Sequence, residues 1–301
     1  MYLKNIIISN NNIDDETIHQ KTETSRTFER VEEDITYTPV IIKRNDQSIR
    51  HPDDTIEWAI KSGMDQHKRS LLSLFLSSFS AGAILGFAGM CIALTNQLVP
   101  QGSSELLYRL ANAFVYPLGF IICIMSGLLL FTEQTATALY PVLDKRSSLK
   151  TLIRLWFIVL IGNFSGTLVG SILLYFADPV VGASTGFIQV AEQLFHFSSF
   201  EVFVSAILAG WLMSQAGWLI LSTSSASSQI ICIYIATFII GFGGLHHSIA
   251  GSAEIFSALL HSDKPNFYGA FTFLVSAVTG NLIGGGFFVA ILNYGHIRKT
   301  Q

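Results

Sequence analysis

The sequence predicts an all-α membrane protein of six transmembrane helices in an inverted 3+3 repeat, with the second and fifth helices broken. Three observations predict it. Half of the 301 residues are hydrophobic and only 13% are charged, about half the charged share of an ordinary soluble domain. The charge is segregated, with residues 1–70 holding 23 of the 39 Asp, Glu, Lys and Arg side chains. Six apolar stretches then follow, near 71–96, 108–143, 151–177, 199–222, 228–261 and 267–296, each long enough for a bilayer core.

The N-terminal residues 1–52 are rich in Asn, Asp, Glu, Thr and Lys and lack sustained apolar periodicity. They read as a polar, largely disordered tail with no apolar h-region, hence no cleavable signal peptide. Residues 53–69 place Ile56, Ala59, Ile60 and Met64 near one face after Asp53 and Asp54. That pattern suits an amphipathic surface helix, and equally a solvated linker helix. Residues 70–297 form the transmembrane domain, and 298–301 a short C-terminus. Basic residues flank the spans on one side: Lys61, Lys68 and Arg69 before the first, Lys145, Arg146, Lys150 and Arg154 between the second and third, Arg298 and Lys299 after the sixth. Both termini are therefore expected in the cytoplasm, with a multi-pass location in the cell (inner) membrane.

The second and fifth spans are too long for one straight helix. Each has an interruption near its middle, at Gly127–Glu133 and at Gly241–His247. The halves of the domain also match locally. Gly162-Asn163-Phe164-Ser165-Gly166 in span three answers Gly280-Asn281-Leu282-Ile283-Gly284 in span six, and Ser80-Ala81 in span one is matched to Ser205-Ala206 in span four. Three spans repeated once must run in opposite directions through the bilayer, which gives an aquaporin-like architecture with broken helices near the midplane. Aquaporin identity itself is disfavoured, because no Asn-Pro-Ala occurs. The glycines at four-residue spacing are read as packing positions. Asn163 is read as interhelical glue, whereas for Asn281 glue and a pore role stand level.

Away from the span ends the ionisable groups are few: Glu133, His246, His247 and Glu254, all in the two interrupted spans. Such groups are costly in a bilayer unless they line a cavity or find partners. For His246 a buried clamp and a pore role weigh nearly the same. The three cysteines, Cys91, Cys123 and Cys232, have neither metal nor disulfide spacing and read as buried thiols. No Glu-x-x-His pair occurs in the spans, the one occurrence, Glu16-Thr17-Ile18-His19, lying in the polar tail, so no metal and no cofactor are expected. A net charge of −3 without a basic cluster argues against nucleic acid.

These residues resemble the formate/nitrite transporter family over about residues 70–297. Leu130-Phe131-Thr132 looks like the family's Leu-Phe-Thr, His247-Ser248-Ile249-Ala250 like its central-histidine run, and Gly280-Asn281-Leu282-Ile283-Gly284-Gly285-Gly286 like its Gly-Asn-x-x-Gly-Gly-Gly. Phe131-Thr132-Glu133 and Leu245–Gly251 further resemble the YfdC-like branch. The resemblance implies a channel or secondary transporter, not an enzyme, for small monovalent weak-acid anions of the formate, nitrite, hydrosulfide and lactate class. It implies a homopentamer in the lipid bilayer, each protomer with its own pore, and coupling to protons through the central His247. Thr132 and Asn281 match polar groups of that pore. Tyr116, Phe120, Leu130 and Phe131 match constriction residues on one side, Ile240 and Leu245 on the other. The chain departs from the family pattern at four positions. His246 stands where an acidic residue is common, Gly210 where span four has an asparagine, Tyr116 where phenylalanine is frequent, and Glu133 adds a carboxylate beside Thr132. The competing expectations are a pore for another small neutral or cationic solute working through Glu133, and a non-conducting regulatory membrane protein.

Overall fold

The computed structural model describes residues 49–100 and 102–298. The expected polar tail falls almost wholly on residues outside those described. Among the described residues the chain is helical throughout, with no strand. The helices are α1 (Pro52–Lys68), α2 (Leu71–Leu98), α3 (Glu105–Val115), α4 (Pro117–Met125), α5 (Phe131–Leu143), α6 (Leu149–Val181), α7 (Ser184–His196), α8 (Ser199–Ser222), α9 (Ala226–Gly243), α10 (Ser248–His261), α11 (Phe267–Ile283) and α12 (Leu292–Arg298), with a π-helical stretch over Gly284–Ile291 joining the last two. Six helical segments are long and apolar enough to cross a membrane, α3 and α4 counting as one from Glu105 to Met125. At 13 and 14 residues, α5 and α10 are half-helices that continue two of those segments.

Where a helix starts at a polar loop, a polar side chain caps it. Ser70, Ser104, Ser148, Ser225 and Asn266 each accept an N–H from the first turn of α2, α3, α6, α9 and α11, and Ser198 and Glu201 form a reciprocal capping box on α8. Close packing follows the small residues. On α6, a Cβ at Gly162 would strike Ser78 of α2, and one at Gly166 would strike the Phe79 backbone. On α11, a Cβ at Gly280 would strike the Phe203 backbone of α8, and one at Gly284, where the π-helical stretch begins, the Ile207 backbone. The α2–α6 and α8–α11 pairs are thus held at backbone contact, as small-residue stripes allow.

Helix α1 turns Ile56, Ala59 and Ile60, all fully buried, against Ala136, Tyr140, Val289 and Ile297 at one end of the bundle. Each isoleucine so covered contributes about 1.5–3 kcal/mol. Polar contacts fix the same helix. Glu57 meets Arg298 at 2.5 Å, and His67 bonds Ser147 Oγ at 2.6 Å and the Ala138 carbonyl at 2.9 Å. Its apolar face is therefore covered by protein. Helix α7 was not anticipated, although Phe187, Val190, Ala191 and Leu194 carry the i, i+3, i+4, i+7 spacing that signals it.

Candidate functional site

The two interruptions are built alike. After α4 the chain turns at Gly127 (φ 69°) and after α9 at Gly244 (φ 61°), a left-handed conformation that glycine adopts without strain. Leu128 N–H then bonds the Cys123 carbonyl at 3.4 Å, as Leu245 N–H bonds that of Ile240 at 3.0 Å. Ser77 Oγ accepts Leu129 N–H at 3.1 Å, as Ser205 Oγ accepts His246 N–H at 3.1 Å. Asn163 accepts Phe131 N–H at 2.9 Å and donates to the Leu129 and Ser78 carbonyls at 3.0 and 2.7 Å. Asn281 accepts Ser248 N–H at 2.8 Å and donates to the His246 and Ala206 carbonyls at 3.2 and 2.8 Å. A helix that starts inside an apolar bundle has no water for its backbone groups, so side chains must satisfy them. The bonds equate Ser77-Ser78 with Ser205-Ala206. They correct the match to Ser80-Ala81, where a shared dipeptide outweighed register.

Both carboxamides are 0% exposed and both Nδ2 donors of each are spent on backbone. Asn281 thus has no donor left for a solute, and the geometry gives it the bracing role already expected of Asn163. By the same register, Leu130 and His247 are equivalent: each is the N-cap of its half-helix. His247 Nδ1 accepts Ala250 N–H at 3.1 Å. With Nδ1 an acceptor, the ring is the neutral Nε2–H tautomer, and Nε2 donates to Thr132 Oγ1 at 2.6 Å. The Thr132 hydroxyl hydrogen is then free to donate elsewhere. The positive ends of α5 and α10 meet at this contact, a setting that favours an anion or a hydrogen-bond acceptor.

Apolar groups surround the pair. Phe120 lies edge-on to His247 at 5.1 Å between centroids, and Tyr116 follows Phe120 at 5.0 Å. Tyr116 also touches α9, since a Cβ at Gly241 would lie 2.9 Å from its Cβ. Tyr116 thus packs between Phe120 and α9. Leu130, Phe131 and Ile240 are buried, and Leu245 is partly so.

The remaining predicted residues separate. His246 turns away from Thr132 and sits edge-on between Phe197 and Phe273 at 5.2 and 5.5 Å, with Nδ1 buried and unbonded. Glu133 accepts a hydrogen bond from Gln134, which in turn accepts one from Gln66 of α1 at 2.5 Å. Glu133 also lines a cavity of about 530 Å³ bordered by Lys61, Arg69 and Gln134. Near the far end of α2 lies a second cavity of about 550 Å³, lined by Asn96, Tyr108, Gln189 and Gln193. Asn96 bonds Asn112 at 3.2 Å and accepts a bond from Tyr108. These polar residues were missed, although Tyr108, Asn112 and Tyr116 recur every four residues on one helical face.

The family model for formate/nitrite transporters matches residues 53–295. The inner membrane protein YfdC of Escherichia coli (strain K12) is 30% identical over 251 residues, covering 80% of this chain and 77% of that one. Formate channel FocA of Haemophilus influenzae is 25% identical over 258 residues, covering 78% and 89%. Of solved structures, an FNT family ion channel superposes with TM-score 0.74 at 21% identity, covering 81% of this chain and 99% of its own. A pentameric formate channel with formate bound superposes with TM-score 0.66 at 19% identity, covering 75% and 97%. At those identities the structures speak for the fold, and the sequence matches speak for the family. The chain belongs to the formate/nitrite transporter family and is, as such, a multi-pass membrane transport protein.

Proposed function

We propose that this protein is a channel or secondary transporter for small monovalent weak acids and their anions, of the formate, nitrite, hydrosulfide and lactate class, with His247 and Thr132 at the centre of its path. The observation that carries the reading is the 2.6 Å Thr132–His247 contact where two half-helix N-termini converge, between apolar collars and with a cavity toward either end of the bundle. A solute reaching the centre meets the Thr132 hydroxyl, oriented by His247 Nε2–H. An anion crossing the collars loses hydration that Phe120, Leu130 and Ile240 do not replace, and taking up a proton relieves that cost. Proton coupling follows, as anion–proton symport or as passage of the neutral acid.

The matching bonds at the two breaks support an inverted 3+3 repeat. The basic residues at one end support cytoplasmic termini and inner-membrane insertion, and the likeness to a pentameric channel supports a homopentamer. The test is pH-dependent uptake of formate, nitrite, hydrosulfide, acetate and lactate into proteoliposomes, with wild type and His247→Ala compared. Wild type is expected to pass at least one of these faster as external pH falls, and His247→Ala to lose that dependence. Undiminished flux with an unchanged pH profile in His247→Ala refutes the role of His247.

A further inference from the structure

The proposed function leaves one buried carboxylate unused. Glu254 stands on α10 seven residues beyond His247, about 10 Å further along nearly the same face. It is 6% exposed. The other faces of α10 are occupied: Ser252 bonds Thr167 and Ser257 bonds Ser171, both on α6, and Gly251 packs on Phe273 of α11. Glu254 turns instead toward α2, where Gly89 makes room, a Cβ there lying 3.5 Å from Glu254 Cγ. Beside Gly89, Ala88 packs on α4 three residues from Tyr116, a Cβ at Gly119 lying 2.7 Å from Ala88 Cβ. Among the described residues no donor or cation satisfies the carboxylate, yet its oxygens are not sealed from solvent. The faces it meets continue outward. Gly89 leads along α2 to Asn96, and Tyr116 leads back along α3 to Asn112 and Tyr108, the group that borders the 550 Å³ cavity. Glu254 therefore lies between that cavity and the Tyr116–Phe120 pair.

We propose that Glu254 is a specificity-determining residue of this half of the path, selecting weak acids over permanently charged monovalent anions such as chloride. The inference rests on the proposed function. Glu133 borders the opposite cavity, but not by symmetry, since the repeat register pairs Glu133 with Ala250 and Glu254 with Thr137. A carboxyl group in this setting discriminates in both of its forms. Ionised, it repels any approaching anion. Protonated, it transfers its proton to a weak-acid anion, giving the neutral acid and a carboxylate that takes up a proton from hydronium in the solvent of the cavity, whereas a strong-acid anion cannot take that proton. A cation passing the carboxylate gains nothing further on, because the convergent helix N-termini at Thr132 and His247 oppose it.

The experiment compares formate flux with chloride conductance in proteoliposomes at one fixed pH, for wild type, Glu254→Gln and Glu254→Asp. A unit charge acting at about 10 Å through an effective dielectric near 20 sets the scale at about tenfold. Glu254→Gln is expected to lower the formate-to-chloride ratio by about tenfold, with Glu254→Asp retaining most of it. A ratio within twofold of wild type in Glu254→Gln overturns the inference, as does a wild type that passes chloride as readily as formate. If Glu254→Gln misfolds, Glu254→Ser is read in its place by the same twofold criterion. A wild type that carries none of the weak acids refutes the proposed function instead.

Discussion

Replacing Asn281 by alanine tests whether side chains hold the broken helix together. The substitution deletes three hydrogen bonds: from Ser248 N–H, and to the His246 and Ala206 carbonyls. Interhelical bonds in membrane proteins average about 0.6 kcal/mol, so three give a floor of about 2 kcal/mol. The Ala206 carbonyl belongs to the interior of α8, where its own helix supplies a donor. The Ser248 N–H and His246 carbonyl lose their partner at the break, and each orphaned group costs about 1–3 kcal/mol. The expected cost is therefore about 2–6 kcal/mol. Because Asn163 makes the same three bonds at the other break, Asn163→Ala should cost the same within about 1 kcal/mol. Ser205→Ala, which removes one bond to His246 N–H, should cost about 1 kcal/mol. Reversible unfolding in mixed micelles by titration with denaturing detergent measures all three. An Asn281→Ala protein no less stable than Ser205→Ala would falsify the bracing role.

Three further outcomes are expected. Thr132→Val keeps shape but leaves His247 Nε2–H without its acceptor in a site that is 0% exposed at Thr132; weak-acid flux should fall about tenfold, the equivalent of about 1.4 kcal/mol, and unchanged flux counts against the central pair. Gly166→Ala drives a Cβ into the Phe79 backbone and to 2.8 Å from Ala83 N, so thermal denaturation should report a loss of at least about 1–3 kcal/mol, whereas Gly295→Ala, with nothing within 4 Å, should be neutral. His67, outside the spans, has its pKa held below 6.5 by burial, with the Ala138 bond pulling upward and Arg154 downward. Its neutral form thus stabilises the fold above pH 6.5, and that contribution is lost as pH falls and the unfolded chain takes up the proton. His67→Gln should flatten the decline of melting temperature below that pH, and parallel pH curves would argue otherwise.

The fold was legible because its causes are local in sequence. A bilayer demands long apolar runs, and helices in backbone contact demand glycine at four-residue spacing, so the spans and the Gly-Asn motifs could be read directly. The interruptions at Gly127–Glu133 and Gly241–His247 were readable because those two spans outrun one straight helix. What was not legible depends on register and direction. Ser80-Ala81 matched Ser205-Ala206 as letters, whereas Ser77 carries the bond, because a hydroxyl must face the break and the dipeptide does not encode facing. The sequence places His246 beside His247, yet an extended backbone sends adjacent side chains to opposite sides, and only the packing of Phe197 and Phe273 shows where His246 goes. Glu254 stood out as one of four ionisable groups in the interrupted spans, but its placement needed Gly89, distant in the chain.

The equivalence of Leu130 and His247 separates two kinds of change. Each occupies a seat formed by the same glycine turn, serine and asparagine, so the seat does not depend on who sits in it. One seat holds an aliphatic side chain and the other an imidazole, so the proposed path is lopsided where the two breaks share their bonds. Transport chemistry can thus be rewritten one seat at a time while the scaffold stays constant. On the proposed path, an imidazole installed at Leu130 would add a second ring from the matching seat, and a leucine at His247 would close the centre with a matched apolar plug.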